Sequence, residues 1–145
     1  MSRVSTYLNF SRSTEQAFVF YQSVFRSEFA GQIQRFGDTP GAPGKPPMAE
    51  ADRILVMHVE LPILGGHVLM GADAPESMGF SLTQGNNVYI NLEPNTRAET
   101  DRLFEALSVN GTPEMPLEEM FWGGYFGILT DQFGIRWMFN CRSKT

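Results

Sequence analysis

Phe121-Trp122-Gly123-Gly124-Tyr125-Phe126-Gly127-Ile128-Leu129-Thr130-Asp131-Gln132-Phe133-Gly134-Ile135-Arg136-Trp137-Met138-Phe139-Asn140 is the densest stretch of the chain, and its reading decides the fold. Tyr125 to Thr130 and Ile135 to Phe139 are rich in the aromatic and β-branched residues that suit a pleated, half-buried surface. Asp131-Gln132-Phe133-Gly134 between them is a turn signal, so the stretch predicts two strands and a tight turn. Outward toward the N-terminus, Pro116 to Met120 reads as a loop and Thr112 to Met115 as a short strand. Asn110-Gly111 stops a helix as a left-handed C-cap would. That helix opens at the capping box Thr96-Arg97-Ala98-Glu99, carries Leu103, Phe104 and Leu107 on one stripe, and follows a strand from Val88 to Leu92.

The same order of elements occurs earlier. Val4 to Phe10 alternates as a strand, with Val4, Thr6, Leu8 and Phe10 on one face and Ser5, Tyr7 and Asn9 on the other. Ser13-Thr14-Glu15-Gln16 is a capping box that opens a helix with Ala17, Phe18, Tyr21, Val24 and Phe25 on one stripe, ending near Ser27. Glu28 to Phe36 is a strand candidate. Gly37 to Asp52 gathers prolines at 40, 43, 46 and 47, which remove backbone donors and fix φ, so it reads as a loop that is either solvated or a lid over a ligand. Ile54 to Leu61 and His67 to Ala72 form a hairpin around Gly65-Gly66. Asp73 to Asn87 shows neither strand nor helix periodicity and serves as the connection. The chain therefore reads as an α+β domain made of two βαβββ modules, about 1–73 and 87–141, with a linker over 74–86.

Composition narrows the partners. A chain of 145 residues supplies one domain's worth of core. A formal charge of -5, with eleven Lys and Arg scattered along the chain, argues against nucleic acid. No apolar run approaches the roughly 20 residues of a membrane-spanning helix. A single cysteine, Cys141, makes no internal disulfide, so a cytoplasmic protein is expected.

A tandem βαβββ chain of this length resembles the vicinal-oxygen-chelate superfamily of glyoxalase I, extradiol dioxygenases, fosfomycin-resistance enzymes and bleomycin-binding proteins. Within it the chain is most similar to the PhnB-like proteins. The residues that carry the resemblance are Tyr7-Leu8-Asn9-Phe10, Glu15 through Tyr21, Met57-His58-Val59-Glu60-Leu61, Gly65-Gly66, Leu69 through Asp73, Trp122-Gly123, Phe126-Gly127, Asp131 through Gly134 and Trp137 through Asn140. The resemblance implies two cupped, U-shaped half-sheets of the glyoxalase type enclosing a cavity, usually in a homodimer. In metal-dependent relatives His, Gln or Glu from the first and last strands of each module hold a divalent cation that acts as a Lewis acid. The liganding Glu of the last strand stands four residues beyond the turn glycine; here that position is Met138, and the same count from Gly66 reaches Met70. The first-strand positions fall near Ser5 and Val88. None of these suits a hard or borderline cation, so no metal and no cofactor are expected. Some relatives carry the label of a ubiquinone-pathway methyltransferase, but no glycine-rich nucleotide turn separates strand from helix here.

The remaining polar and aromatic positions are the candidates for contact with a ligand. Tyr7, Asn9 and Glu60 lie on strands that would line the cavity, with a solvated sheet face as the competing reading. His58 is open to three roles: a hydrogen-bonded structural histidine, a substrate-contacting or acid/base residue, or a metal ligand. His67, beside the turn, is expected at the surface. Trp122 and Tyr125 either offer an aromatic wall to a ligand or serve core and interface. No nucleophile with an adjacent base appears, so no catalytic residue is named and whether the protein is an enzyme stays open. The expectation is a small organic molecule bound in an aromatic and apolar cavity; the alternative is a metal-dependent lyase, isomerase or dioxygenase using His58 and Glu60 as substitute ligands.

Overall fold

A computed structural model of the protein describes residues 1–39, 44 and 46–145. The chain forms two compact units, Met1–Thr83 and Gln84–Thr145. Each holds its own four-stranded sheet, and among the described residues no strand is shared between them.

In the first unit β1 (Thr6–Phe10), α1 (Thr14–Phe25), β2 (Gln34–Arg35), α2 (Glu50–Arg53), β3 (Val56–Pro62) and β4 (Val68–Asp73) give the sheet order β1-β4-β3-β2. β1 runs parallel to β4, and the other pairs are antiparallel. In the second unit β5 (Ile90–Leu92), α3 (Arg97–Ser108), β6 (Thr112–Glu119), β7 (Tyr125–Thr130) and β8 (Arg136–Cys141) repeat the pattern as β5-β8-β7-β6, with β5 parallel to β8. The expected α+β class, with two βαβββ modules, is what the chain adopts.

Alternation explains which face of each sheet is covered. Leu8 and Phe10, Val59 and Leu61, and Leu69 all point to the side where Phe18 and Tyr21 of α1 are buried. In the second unit Leu92, Leu129, Trp137 and Phe139 pack with Leu103 and Leu107 of α3. Each such side chain contributes about 1.5–3 kcal/mol on burial. Gly71 lies directly under the helix: a Cβ there would come 2.5 Å from Phe18 Cε1.

A buried aspartate fastens each unit. Asp73 accepts from the backbone N–H and the hydroxyl of Thr14 at 3.1 and 2.8 Å and from the N–H of Val56 at 2.8 Å. It therefore caps α1 from the end of β4, and the expected Ser13 side-chain cap is not made. Asp131 accepts from the N–H groups of Phe133 and Ile135 at 2.8 and 3.0 Å and from Trp137 Nε1 at 2.8 Å. The turn closes at Gly134, whose φ of +87° favours glycine. In α3 the Thr96 hydroxyl does accept from the Glu99 N–H, at 3.1 Å.

Several expected boundaries are corrected. The strand over Glu28 to Phe36 shrinks to Gln34–Arg35, because Gly31 turns the backbone to φ +82° and the register shifts between the two paired residues. The strand expected to end at Met115 runs on to Glu119 through Pro113 and Pro116. Both prolines are tolerated because β6 is an edge strand, and its two register shifts absorb the missing donors. Within the expected loop over 37–52, Glu50–Arg53 forms a helical turn, and Phe36–Asp38 forms another that overlaps its start. The prolines at 40 and 43 lie outside the described residues. The left-handed stop expected at Asn110-Gly111 is present, made by Asn110 at φ +57°.

Candidate functional site

The sheet face turned away from α1 carries polar groups in a definite order. Met70 on β4 stands opposite Tyr7 on β1 and opposite Glu60 on β3, so one row crosses the sheet as Tyr7, Met70, Glu60. One pair further along, Ala72 faces Asn9. A residue as small as Ala72 leaves the space above it open, and His58 reaches across from β3.

Tyr7, His58 and Glu60 are joined. Tyr7 Oη lies 3.2 Å from His58 Nδ1, and His58 Nε2 lies 2.9 Å from Glu60 Oε2. A carboxylate only accepts, so Nε2 carries a hydrogen and the neutral ring takes the Tyr7 hydroxyl hydrogen at Nδ1. The rings of Tyr7 and His58 are 5.7 Å apart and tilted by 34°. Burial pushes the Tyr7 phenol above its ordinary pKa, and the negative charge of Glu60 adds to this. Tyr7 therefore remains a hydroxyl at neutral pH and presents its oxygen lone pairs outward. Arg3, which the sequence reading did not single out, approaches Glu60 at 3.9 Å. No periodicity could have found it, since it precedes the first strand.

Asn9 is exposed on the same face. His67 bonds to the Thr6 hydroxyl at 2.8 Å and takes no part in the chain of Tyr7, His58 and Glu60. Trp122 belongs to the second unit, half-exposed, its ring edge-on to Phe126 at 5.7 Å. Tyr125 does not reach the open face. Alternation puts it with Gly127 and Leu129, its hydroxyl donates to Asp101 of α3 at 2.6 Å, and Arg97 lies 4.8 Å from its ring.

The open face of the second sheet is built differently. Met138 stands between Asn91 and Ile128, flanked by the pairs Phe126 with Asn140 and Thr130 with Arg136. Arg136 donates to Glu114 at 2.6 Å and lies against the Tyr89 ring at 4.2 Å. The Thr130 hydroxyl also donates to Glu114, and these two donors, Thr130 first, hold the Glu114 carboxyl below its ordinary range. All three side chains satisfy one another, which is the arrangement of a structural cluster.

The metal expected of the superfamily's metal-dependent members can be tested against the donors present. Ser5 and Met70, two of the positions where ligands would stand, do meet, with Ser5 Oγ 3.7 Å from Met70 Sδ. A hydroxyl and a thioether are poor donors for a hard divalent cation. His58 and Glu60 supply two possible donors, and among the described residues no group of three His, Cys, Asp or Glu is placed to hold a metal ion. The residues do not fit the group. A nucleotide cofactor meets a similar obstacle, because Ser11-Arg12-Ser13 between β1 and α1 contains no glycine.

Residues 2–139 match a family model described as 3-demethylubiquinone-9 3-methyltransferase. Protein YjdN of Escherichia coli is 30% identical over 94% of this chain and 93% of its own. A crystal structure of a Pseudomonas aeruginosa protein is 30% identical, covers 97% of this chain and 98% of its own, and superposes with a TM-score of 0.81. A Bacillus cereus protein described as a putative 3-demethylubiquinone-9 3-methyltransferase, PhnB protein, is 29% identical over 97% of this chain and 99% of its own, with a TM-score of 0.68. Among the described residues no helix is long and apolar enough to cross a membrane.

Proposed function

The chain belongs to the PhnB-like family whose model is described as 3-demethylubiquinone-9 3-methyltransferase, within the glyoxalase, bleomycin-resistance and dioxygenase superfamily, and we propose that it binds a small organic molecule on the open face of its first sheet without a divalent metal. The observation that carries this reading is the hydrogen-bonded chain from Tyr7 through His58 to Glu60.

The chemistry follows from the direction of those bonds. Tyr7 spends its hydrogen on His58, so its oxygen accepts from an O–H or N–H of the ligand. A proton delivered to Tyr7 Oη moves the Tyr7 hydrogen onto His58 Nδ1, and Glu60 stabilises the imidazolium that results. The raised pKa of Tyr7 excludes a resting tyrosinate, so His58 is the base and Tyr7 the contact. The ligand is thus a molecule with an ionisable O–H or N–H and an apolar body that rests on Met70 and Ala72. Methyl transfer finds no support in the β1–α1 connection, whatever the family's description. The homodimer expected from the resemblance belongs to the same proposal, and sedimentation would give twice the 16.3 kDa of the chain.

A ligand-observed NMR screen of phenols and small organic acids tests the reading. Compounds that bind should lose about tenfold or more in affinity in Tyr7→Phe and His58→Gln, since each removes a hydrogen bond in the chain. Binding that ignores both substitutions would overturn the site. Stoichiometric zinc, nickel, manganese or iron in protein purified without chelator, lost in His58→Ala, would overturn the metal-free mechanism. Turnover of S-adenosylmethionine would overturn the reading against methyl transfer.

A further inference from the structure

β2 reaches the open face of the first sheet through one side chain. Gln34 pairs with His58 of β3, and directly opposed residues share a face, so Gln34 stands on the side of Tyr7, His58 and Glu60. Its neighbour leads to the same placement independently. Arg35 bonds Glu15 of α1 at 2.8 and 2.9 Å, on the covered face, and successive side chains of a strand point to opposite faces. The register shift falls on β3, where Val56 instead of Met57 stands opposite Arg35, and Val56 and Val59 are both buried. Alternation along β2 is therefore undisturbed.

Beside Gln34 the face is low. β3 and β4 pair Val59 with Gly71, so the next pair sets His58 opposite Ala72, which faces Asn9 on β1. The His58 ring leans out of this row, because its nitrogens are bonded to Tyr7 at 3.2 Å and to Glu60 at 2.9 Å. A trough is left over the Ala72 methyl. Tyr7 Oη flanks it on one side, and Gln34 lies one strand spacing, about 4.8 Å, beyond His58. The Gln34 carboxamide is exposed, and among the described residues it makes no side-chain hydrogen bond.

Charge narrows what can meet it. The Arg35 guanidinium is taken up by Glu15 and by the Ile54 carbonyl, both at 2.8 Å. Asp38 accepts from the Arg35 N–H at 3.0 Å, one residue from Gln34. A ligand carboxylate at this end would meet the like charge of Asp38, with Arg35 already engaged. A neutral amide meets no such opposition, and it can both donate to and accept from the Gln34 carboxamide.

We infer that Gln34 is a specificity-determining residue of the open face, and that the ligand follows the pattern of a hydroxyaryl carboxamide. Its ionisable O–H meets Tyr7, its flat apolar body lies over Ala72, and its amide pairs with Gln34. This assignment rests on the reading of Tyr7 as contact and His58 as base.

Three probes test it: phenol, 4-hydroxybenzamide and 4-hydroxybenzoate, titrated by NMR into the wild-type protein, Tyr7→Phe and Gln34→Ala. The wild type should bind 4-hydroxybenzamide more tightly than phenol, and 4-hydroxybenzoate more weakly than the amide. The amide is also the more acidic phenol, so the variant isolates the contact. In Gln34→Ala the preference for 4-hydroxybenzamide over phenol should fall by about threefold to tenfold, the value of one hydrogen bond. Binding of these phenols that ignores Tyr7→Phe overturns the reading of the open face and this inference with it. Binding that depends on Tyr7, with a preference untouched by Gln34→Ala or lost in Asn9→Ala instead, overturns the inference alone. Equal affinity of the wild type for phenol and 4-hydroxybenzamide does the same without recourse to any variant.

Discussion

Asp131 shows how much one carboxylate contributes when all of its acceptors are used. It is 3% exposed and serves two backbone amides and one indole N–H. Asp131→Ala removes the acceptor from a buried Trp137 and opens the turn, so we expect a loss of about 3 kcal/mol or more, read as a fall in the urea midpoint at unchanged slope. Asp131→Asn, which keeps an acceptor oxygen, should lose less. The sequence marked Asp131 only as a turn residue, because a side-chain bond reaching Trp137 leaves no periodic trace. Tyr125 illustrates the same blindness from the other side. Its aromatic character was legible, but the direction of its ring depends on strand parity, and parity turned it toward Asp101 and Arg97 instead of the open face. Counting from the turn glycines singled out Met70 and Met138; that each lies at the centre of a row across its sheet required the pairing register.

At the scale of elements, repetition was legible and edges were not. Both capped helices and the interior strands follow from apolar periodicity, which reports burial directly. β2 and β6 are edge strands, where one side lacks a partner and the pattern loses its physical cause. β2 is held instead by Arg35, whose two terminal nitrogens bond the two oxygens of Glu15 on α1 at 2.8 and 2.9 Å. That hydrogen bond lowers the Glu15 pKa below its ordinary value. A carboxyl depressed in the folded state stabilises the protein above its unfolded pKa and loses that contribution as pH falls through the folded value. Glu15 is 44% exposed, so the contribution is below about 1 kcal/mol. Urea denaturation of Arg35→Met should therefore show a small deficit at pH 7 that shrinks as pH falls below the ordinary carboxylate range around pH 4 and Glu15 takes up its proton. A deficit independent of pH across that acid range would assign the effect to packing of the Arg35 stem.

For the molecule as a whole, the sequence revealed a duplication of element order with little identity between the halves, and the structure gives each half its own sheet, helix and buried aspartate. The two aspartates have a consequence for hydrogen exchange. Thr14 and Val56 in one unit, and Phe133 and Ile135 in the other, bond their amides to a carboxylate instead of a carbonyl. Such amides exchange with solvent deuterium only when the carboxylate lets go, so each set clocks the opening of its own unit. Because no strand is common to both, we expect two distinct protection factors, one for Thr14 and Val56 and another for Phe133 and Ile135. A single shared value that follows global unfolding would mean that the duplicated halves open together, as one cooperative foldon.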